Sequence, residues 1–128
     1  MAKLRIYNEI VNEEDKVFLS DWYGTDGICY KDISEFLDSM EEGDNEIDIR
    51  LHCPGGDCIE GWAIYDALRN SGKTISATIE AECSSMATII LLAAPKERRF
   101  GFENARMCIH NPAFDWLDLC SSDRLTAD

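Results

Sequence analysis

Three short stretches of this 128-residue chain carry groups that could share one reaction: CPGG at Cys53–Gly56, ECSSM at Glu82–Met86 and RMCIHNP at Arg106–Pro112. Ser84 and Ser85 are adjacent hydroxyls at the start of an apolar run. A serine becomes a nucleophile when a base takes its proton and fixed donors hold the oxyanion that forms. Near neutral pH the natural base is histidine. The chain has two, His52 and His110. His110 follows a strand-like run and precedes Asn-Pro, which must leave the strand, so it projects at a sheet end. The oxyanion donors would be backbone amides: that of Met86, in the first turn of a helix where N–H groups lack intrahelical partners, and one from Gly55-Gly56, where no side chain blocks close approach. Each feature has a plain structural reading as well. A serine at a helix start is usually a cap, a histidine beside Asn-Pro usually a turn residue, and Pro-Gly-Gly by itself a turn. Their order and spacing together are more specific than any one of them.

The elements needed to position these groups can be read from periodicity. Lys3–Ile10 alternates as a strand with Leu4 and Ile6 on one side. Val17–Leu19 reads as the start of a strand that runs into a glycine-bearing loop, DWYGTDG. Ile33, Phe36, Leu37 and Met40 have helical spacing, and Gly43 follows as a stop. Glu46–His52 alternates Ile47, Ile49 and Leu51 against charged residues. Asp57 caps a helix to about Asn70, with Ile64 and Leu68 on its apolar stripe. Thr74–Ile79 is β-branched, the run from Met86 is a helix apolar on every side, and short strands follow near Arg98–Phe102 and Arg106–Ile109. Alternating strands and helices imply right-handed crossovers and a largely parallel sheet, with chemistry at the carboxyl ends of strands. All three candidate stretches fall at such ends.

Composition narrows the function classes. Of the formal net charge of −13, −12 lies between Asn8 and Asp48, where fourteen acids meet only Lys16 and Lys31. Without a basic stripe, a nucleic-acid partner is not expected. The acidic block reads as a solvated face, or as a surface that steers basic partners. No apolar run approaches the roughly 18 residues of a membrane span, and the polar N-terminus is not a signal peptide, so a cytoplasmic location without membrane association is expected. Six cysteines with no CxxC pair argue for reduced thiols and against a structural metal. His52-Cys53, Cys58 and Cys108-x-His110 are the one set that could meet around zinc.

The motifs carry a resemblance. CPGGDCIEGWAIYDAL resembles the SPGG-x-x-x-x-G-x-x-I-Y-D/N segment of the ClpP peptidases, AECSSMATIILLAA their G-x-A-A-S-M helix entrance, and RMCIHNP their catalytic-histidine strand. The acidic N-terminal half, with DWYGTDG and EIDIRLH, is most similar to the phage-type ClpP-like (prohead) proteases. The match runs in the family's order from about Leu4 to Pro112. It implies an α/β fold, the ClpP/crotonase-like spiral of βαβ units with a largely parallel sheet, forming a single domain over residues 1–128. It implies Ser85 as nucleophile, Ser84 standing where the family has alanine, and His110 as general base. Gly56 and Met86 become the oxyanion donors, and Cys58 and Ala113 pair with the backbone of a peptide lying as an added strand. The partners implied are a polypeptide substrate and further copies in a homo-oligomeric ring. An ATPase unfoldase is the other partner the resemblance raises; no cofactor is implied.

The chain also departs from the family pattern. Cys53 replaces the usual Ser, His52 the preceding Asn, and Ala81 the glycine of G-x-A-A-S, which adds a methyl where the backbone turns. The family's triad acid comes beyond a long helix-strand handle. Asp115, Asp118, Asp123 and Asp128 are too early to match it, so the resemblance implies a domain lacking most of the handle and the C-terminal part. Losing the acid's orientation of the histidine can cost around 10⁴ in turnover, so weak or absent activity is expected of a chain ending at Asp128. The leading expectation is a serine endopeptidase working through an acyl-enzyme. The alternatives are a catalytically silent scaffold of the same fold and an acyl-CoA enzyme of the crotonase branch, against which the paired Ser85 and His110 argue.

Overall fold

The computed structural model describes residues 1–109, and its framework is a sheet in which every strand pair is parallel. Strand β1 (Ala2–Tyr7) pairs with β2 (Glu46–Cys53), and β2 with β3 (Thr74–Ser84). Strand β3 is eleven residues long and serves two further neighbours on one side. Its middle, Ala77–Ile79, pairs with β4 (Arg99–Gly101), and its last three residues, Glu82–Ser84, pair with β5 (Arg106–Cys108). The alternation in EIDIRLH does what period-two patterning requires. Ile47, Ile49 and Leu51 are fully buried, in one core with Ile33, Ile64, Leu68 and Ile90 of the helices α2 (Tyr30–Ser39), α3 (Cys58–Arg69) and α4 (Met86–Leu91). The intervening residues point to the opposite face. There Arg50 pairs with Asp48 at 3.0 Å and Glu80 at 3.5 Å, Tyr7 donates to Glu80, and the Arg50 guanidinium lies 5.9 Å from the Phe102 ring centre.

Local signals explain most boundaries. Asp57 caps α3 by accepting from the Glu60 amide at 2.9 Å, and the helix ends at Asn70. The N-terminal strand stops at Tyr7 rather than Ile10, because Asn8 takes φ 71° and breaks the extension. Beyond it Ile10 forms isolated parallel bridges with Ile28 and Gly56. The β-branched strand runs on to Ser84 instead of ending at Ile79. The helix after it is correspondingly short, six residues, and Leu92 just past its end is exposed rather than buried.

One segment differs in kind from the expectation. Val17–Leu19 belongs not to a strand but to helix α1 (Glu13–Tyr23). Asn12 caps it by accepting from the Asp15 amide at 2.7 Å, three acids occupy its first turn, and Gly24 closes it in the left-handed conformation at φ 64°. None of its residues is buried. No helix among the described residues is long and apolar enough to cross a membrane.

Candidate active site

Ser85 stands at the joint between β3 and α4, in a backbone conformation that L-residues rarely adopt, φ 55° and ψ −125°. Such a conformation costs on the order of 1–3 kcal/mol and persists only where the surroundings impose it. Here they do. The Ser85 amide donates to the Cys108 carbonyl at 2.7 Å, which extends the β3–β5 ladder past the strand end. The Ser85 carbonyl accepts from both the Thr88 amide, at 3.0 Å, and the Thr88 hydroxyl, at 2.6 Å. Ser85 occupies the N-cap position of α4, yet its hydroxyl makes no capping hydrogen bond. The capping role that would explain this serine is therefore not the one it plays. Ser84 is different: its hydroxyl donates to the Glu82 carboxylate at 3.1 Å.

The glycine turn faces this joint across a narrow gap. A Cβ on Gly55 would lie 2.7 Å from Ser85 Cβ and 3.0 Å from the Met86 nitrogen, so the turn reaches the serine only because residue 55 has no side chain. Gly56, at φ 141°, is held on its other side by the isolated bridge to Ile10: Ile10 N donates to Gly55 O at 2.8 Å and Asp57 N to Ile10 O at 2.9 Å. In a parallel bridge of this kind the central residue turns its own N–H and C=O away from the partner. The polar edge of Gly56 thus points away from Ile10. Among the described residues neither the Gly56 nor the Met86 amide has an acceptor, and Gly56 is exposed.

Ser85 opens into a cleft of about 190 Å³ lined by Cys58, Trp62, Met86, Thr88, Ile89 and Ile109. Its walls are largely apolar. Ser85 and Cys58 are the accessible nucleophilic groups on it, since Cys58 is exposed. Cys53, by contrast, is buried under the turn, where its sulfur accepts from the Gly55 amide at 3.4 Å and burial pushes the thiol up to about 11. Burial likewise pushes Cys83, its register partner on β3, to about 12. Both behave as small hydrophobes. No group of three His, Cys, Asp or Glu side chains among the described residues could hold a metal ion. His52 lines a separate cavity with Glu9, Asp26 and Glu82 and packs edge-on against Tyr7.

Of the residues named from sequence, Ser85, Met86, Gly56 and Cys58 are brought to one end of the sheet. His110 and Ala113 lie outside the described residues; Cys108, two positions before His110, is the residue hydrogen-bonded to Ser85. The Ala81 methyl meets no backbone strain, because Ala81 sits exposed within β3 without a positive φ. Sequence reasoning missed three contributors. Thr88 holds the Ser85 carbonyl, and its signal was being the one polar residue in the apolar run. Trp62 walls the cleft, and Ile10 anchors Gly56; neither has a local signature, because both act across the sheet.

The sequence profile of the Clp protease family, described as "Clp protease", matches residues 2–118. The chain belongs to the Clp protease family. Two curated relatives are ATP-dependent Clp protease proteolytic subunits. The one from Porphyromonas gingivalis is 35% identical over 77 residues, 60% of this chain and 34% of the relative. The one from Cyanophora paradoxa is 30% identical over 112 residues, 86% of this chain and 57% of the relative. Among solved structures, ClpP1 from Listeria monocytogenes superposes with a TM-score of 0.64 at 26% identity, over 87% of this chain and 57% of that one. The catalytic domain of the ClpP protease from Plasmodium falciparum, at 24% identity and a TM-score of 0.61, shares the fold. The chain thus spans roughly a third to three-fifths of the length of these Clp proteins. The mixed α/β architecture with a parallel sheet is the one these ClpP neighbours have.

Proposed function

We propose that this Clp-family chain carries the nucleophile and oxyanion site of a serine endopeptidase. Ser85 Oγ attacks the scissile carbonyl carbon while His110 accepts the hydroxyl proton. The amides of Gly56 and Met86 hold the oxyanion. His110 then passes the proton to the leaving amine, and water, deprotonated by the same histidine, hydrolyses the Ser85 ester. The observation that carries this reading is the Ser85 hydroxyl itself: it sits at a helix N-cap in a strained backbone, caps nothing, and opens on the cleft beside two amides that have no acceptor among the described residues. The free edge of Gly56 and the exposed Cys58 after it suit an extended peptide added as a strand, and the family resemblance assigns Ala113 to the same peptide.

The same proposal covers the setting. The substrate is polypeptide, copies of the chain assemble in a homo-oligomeric ring, and an ATPase unfoldase delivers substrate, in the cytoplasm. The resemblance of the acidic N-terminal half supports the phage-type, prohead-like branch. The test is an active-site probe. A fluorophosphonate is expected to form a covalent adduct on the tryptic peptide holding Ser85, and Ser85→Ala to abolish it. An adduct that survives Ser85→Ala overturns the assignment.

A further inference from the structure

The peptide unit between Ser85 and Met86 is gripped more firmly than a helix start requires. Its carbonyl, that of Ser85, already accepts from the Thr88 amide at 3.0 Å, as the first acceptor of α4. The Thr88 hydroxyl donates to the same oxygen at 2.6 Å. Thr88 is 7% exposed, so its hydroxyl needs a partner, and a threonine in a helix commonly finds one on the carbonyl three or four residues back. What matters is which carbonyl this one has found. Two donors from one residue now occupy both lone pairs of a single oxygen, and that oxygen belongs to the peptide unit that carries the Met86 amide.

The unit is planar and trans, so the direction of the Ser85 carbonyl sets that of the Met86 N–H, which points the opposite way, off the N-terminal end of α4. Turning the plane over would carry ψ of Ser85 from −125° to about 55°, into the left-handed region that L-residues do enter. The strain at Ser85 therefore pulls toward a flip, while the helical backbone at Met86 opposes it. On its other side Ser85 is already fixed by its amide bond to the Cys108 carbonyl at 2.7 Å. A flipped unit would offer an oxyanion the Ser85 carbonyl oxygen in place of the Met86 N–H, repulsion in place of a hydrogen bond. We propose that Thr88 is a positioning residue, whose hydroxyl locks the Ser85–Met86 peptide unit in the orientation that aims the Met86 amide at the oxyanion. Its catalytic consequence rests on the serine-endopeptidase reading; the lock itself rests on the backbone geometry alone.

The experiment compares the full chain with Thr88→Val, which removes the hydroxyl with little change of shape, and Thr88→Ser, which keeps it. A fluorophosphonate reports the chemistry: Ser85 Oγ bonds to phosphorus, fluoride leaves, the Oγ proton passes to His110, and the phosphoryl oxygen takes the oxyanion position. Thr88→Val is expected to lower the limiting rate of adduct formation by about tenfold, short of the roughly 10²–10³ that losing an oxyanion donor costs, with the half-saturating probe concentration unchanged. Thr88→Ser is expected to react within about twofold of wild type, since it restores the donor. A residue that only supported the fold would move the melting temperature without this split. Relaxation dispersion of the Met86 amide nitrogen reports the lock without any reaction. It is expected to be flat in wild type and Thr88→Ser, and to show microsecond-to-millisecond exchange in Thr88→Val. Labelling of Thr88→Val as fast as that of wild type overturns the catalytic role. A Met86 amide as quiet in Thr88→Val as in wild type overturns the lock, whether or not the protein labels. An adduct that survives Ser85→Ala overturns the nucleophile instead, and the lock then stands or falls by the Met86 amide.

Discussion

The Ser85 joint and helix α1 are the two parts of this molecule where a local rule is broken, and they break it in opposite ways. At Ser85 the backbone is forced into an unfavourable conformation by neighbours on every side: β5 through Cys108, α4 through Thr88, and the glycine turn through Gly55. At α1 the backbone is satisfied by its own caps, and the side chains have almost nothing to pack against. One region is over-determined by tertiary structure and the other is nearly free of it. Strain is tolerated where many contacts converge, whereas the aromatics of α1 stay exposed where the chain offers them little to pack against.

The contrast can be broken or sharpened by substitution. The largest effect is expected at Gly56→Ala, whose Cβ would meet the Ile10 carbonyl oxygen at 2.0 Å in a left-handed conformation. We expect a loss of about 3 kcal/mol or more and a melting temperature lower by more than about 10 °C, read by thermal and urea denaturation. An Ala variant as stable as wild type would show that the turn is not clamped. Ser85→Gly should move stability the other way, by about +1 kcal/mol, because glycine relieves the backbone strain. The same change should eliminate probe labelling, so a destabilised Gly variant would refute the strain argument even with labelling lost. Asn12→Ala removes the α1 cap and should cost about 1 kcal/mol, appearing as faster amide exchange confined to α1 while Ser85 labelling is unchanged. Trp22→Ser should change stability by less than about 0.5 kcal/mol, and a larger loss in monomeric protein would mean that α1 is packed after all.

Acid offers a further contrast between the regions. Burial alone would raise the Asp32 carboxyl, but the Lys16 ammonium and the Cys29 amide outweigh it and hold the group below its ordinary value. A carboxyl lowered in the folded state contributes stability above its unfolded pKa of about 3.9 and loses it as pH falls through the folded value. Below about pH 4, therefore, the attachment of α1 to α2 should loosen while the sheet holds, visible as exchange in α1 before exchange in β2. Simultaneous loss would make the two regions one cooperative unit.

The same contrast explains what was legible in the sequence. The sheet could be read because Ile47, Ile49 and Leu51 alternate against charge, and the α3 start because Asp57 is followed by a helical stripe. The described part of the candidate site could be read because its demands are local: glycines where a backbone must approach and a serine before a helix. Helix α1 could not, because Val17–Leu19 is a short apolar run compatible with either period. Its real signals, Asn12, the first-turn acids and Gly24, are caps without an apolar stripe between them. Thr88 and Ile10 escaped for the complementary reason that their work is done across the fold. The family resemblance pointed to Ser85, and its backbone angles supplied what no motif contains.

The long third strand has a consequence of its own. Between Gly101 and Arg106 the chain uses five steps to advance three along β3, from opposite Ile79 to opposite Glu82, and the surplus is absorbed in a turn closed by the Ala105 amide on the Phe102 carbonyl. That turn works as a vernier. Lengthening or shortening it would slide the segment leading to His110 along the segment leading to Ser85, one register step at a time. The hydrophobic layer beneath would not need to be rebuilt. The register of β5 against the strand that leads to Ser85 can thus be tuned by loop length, separately from the stability of the sheet that carries them.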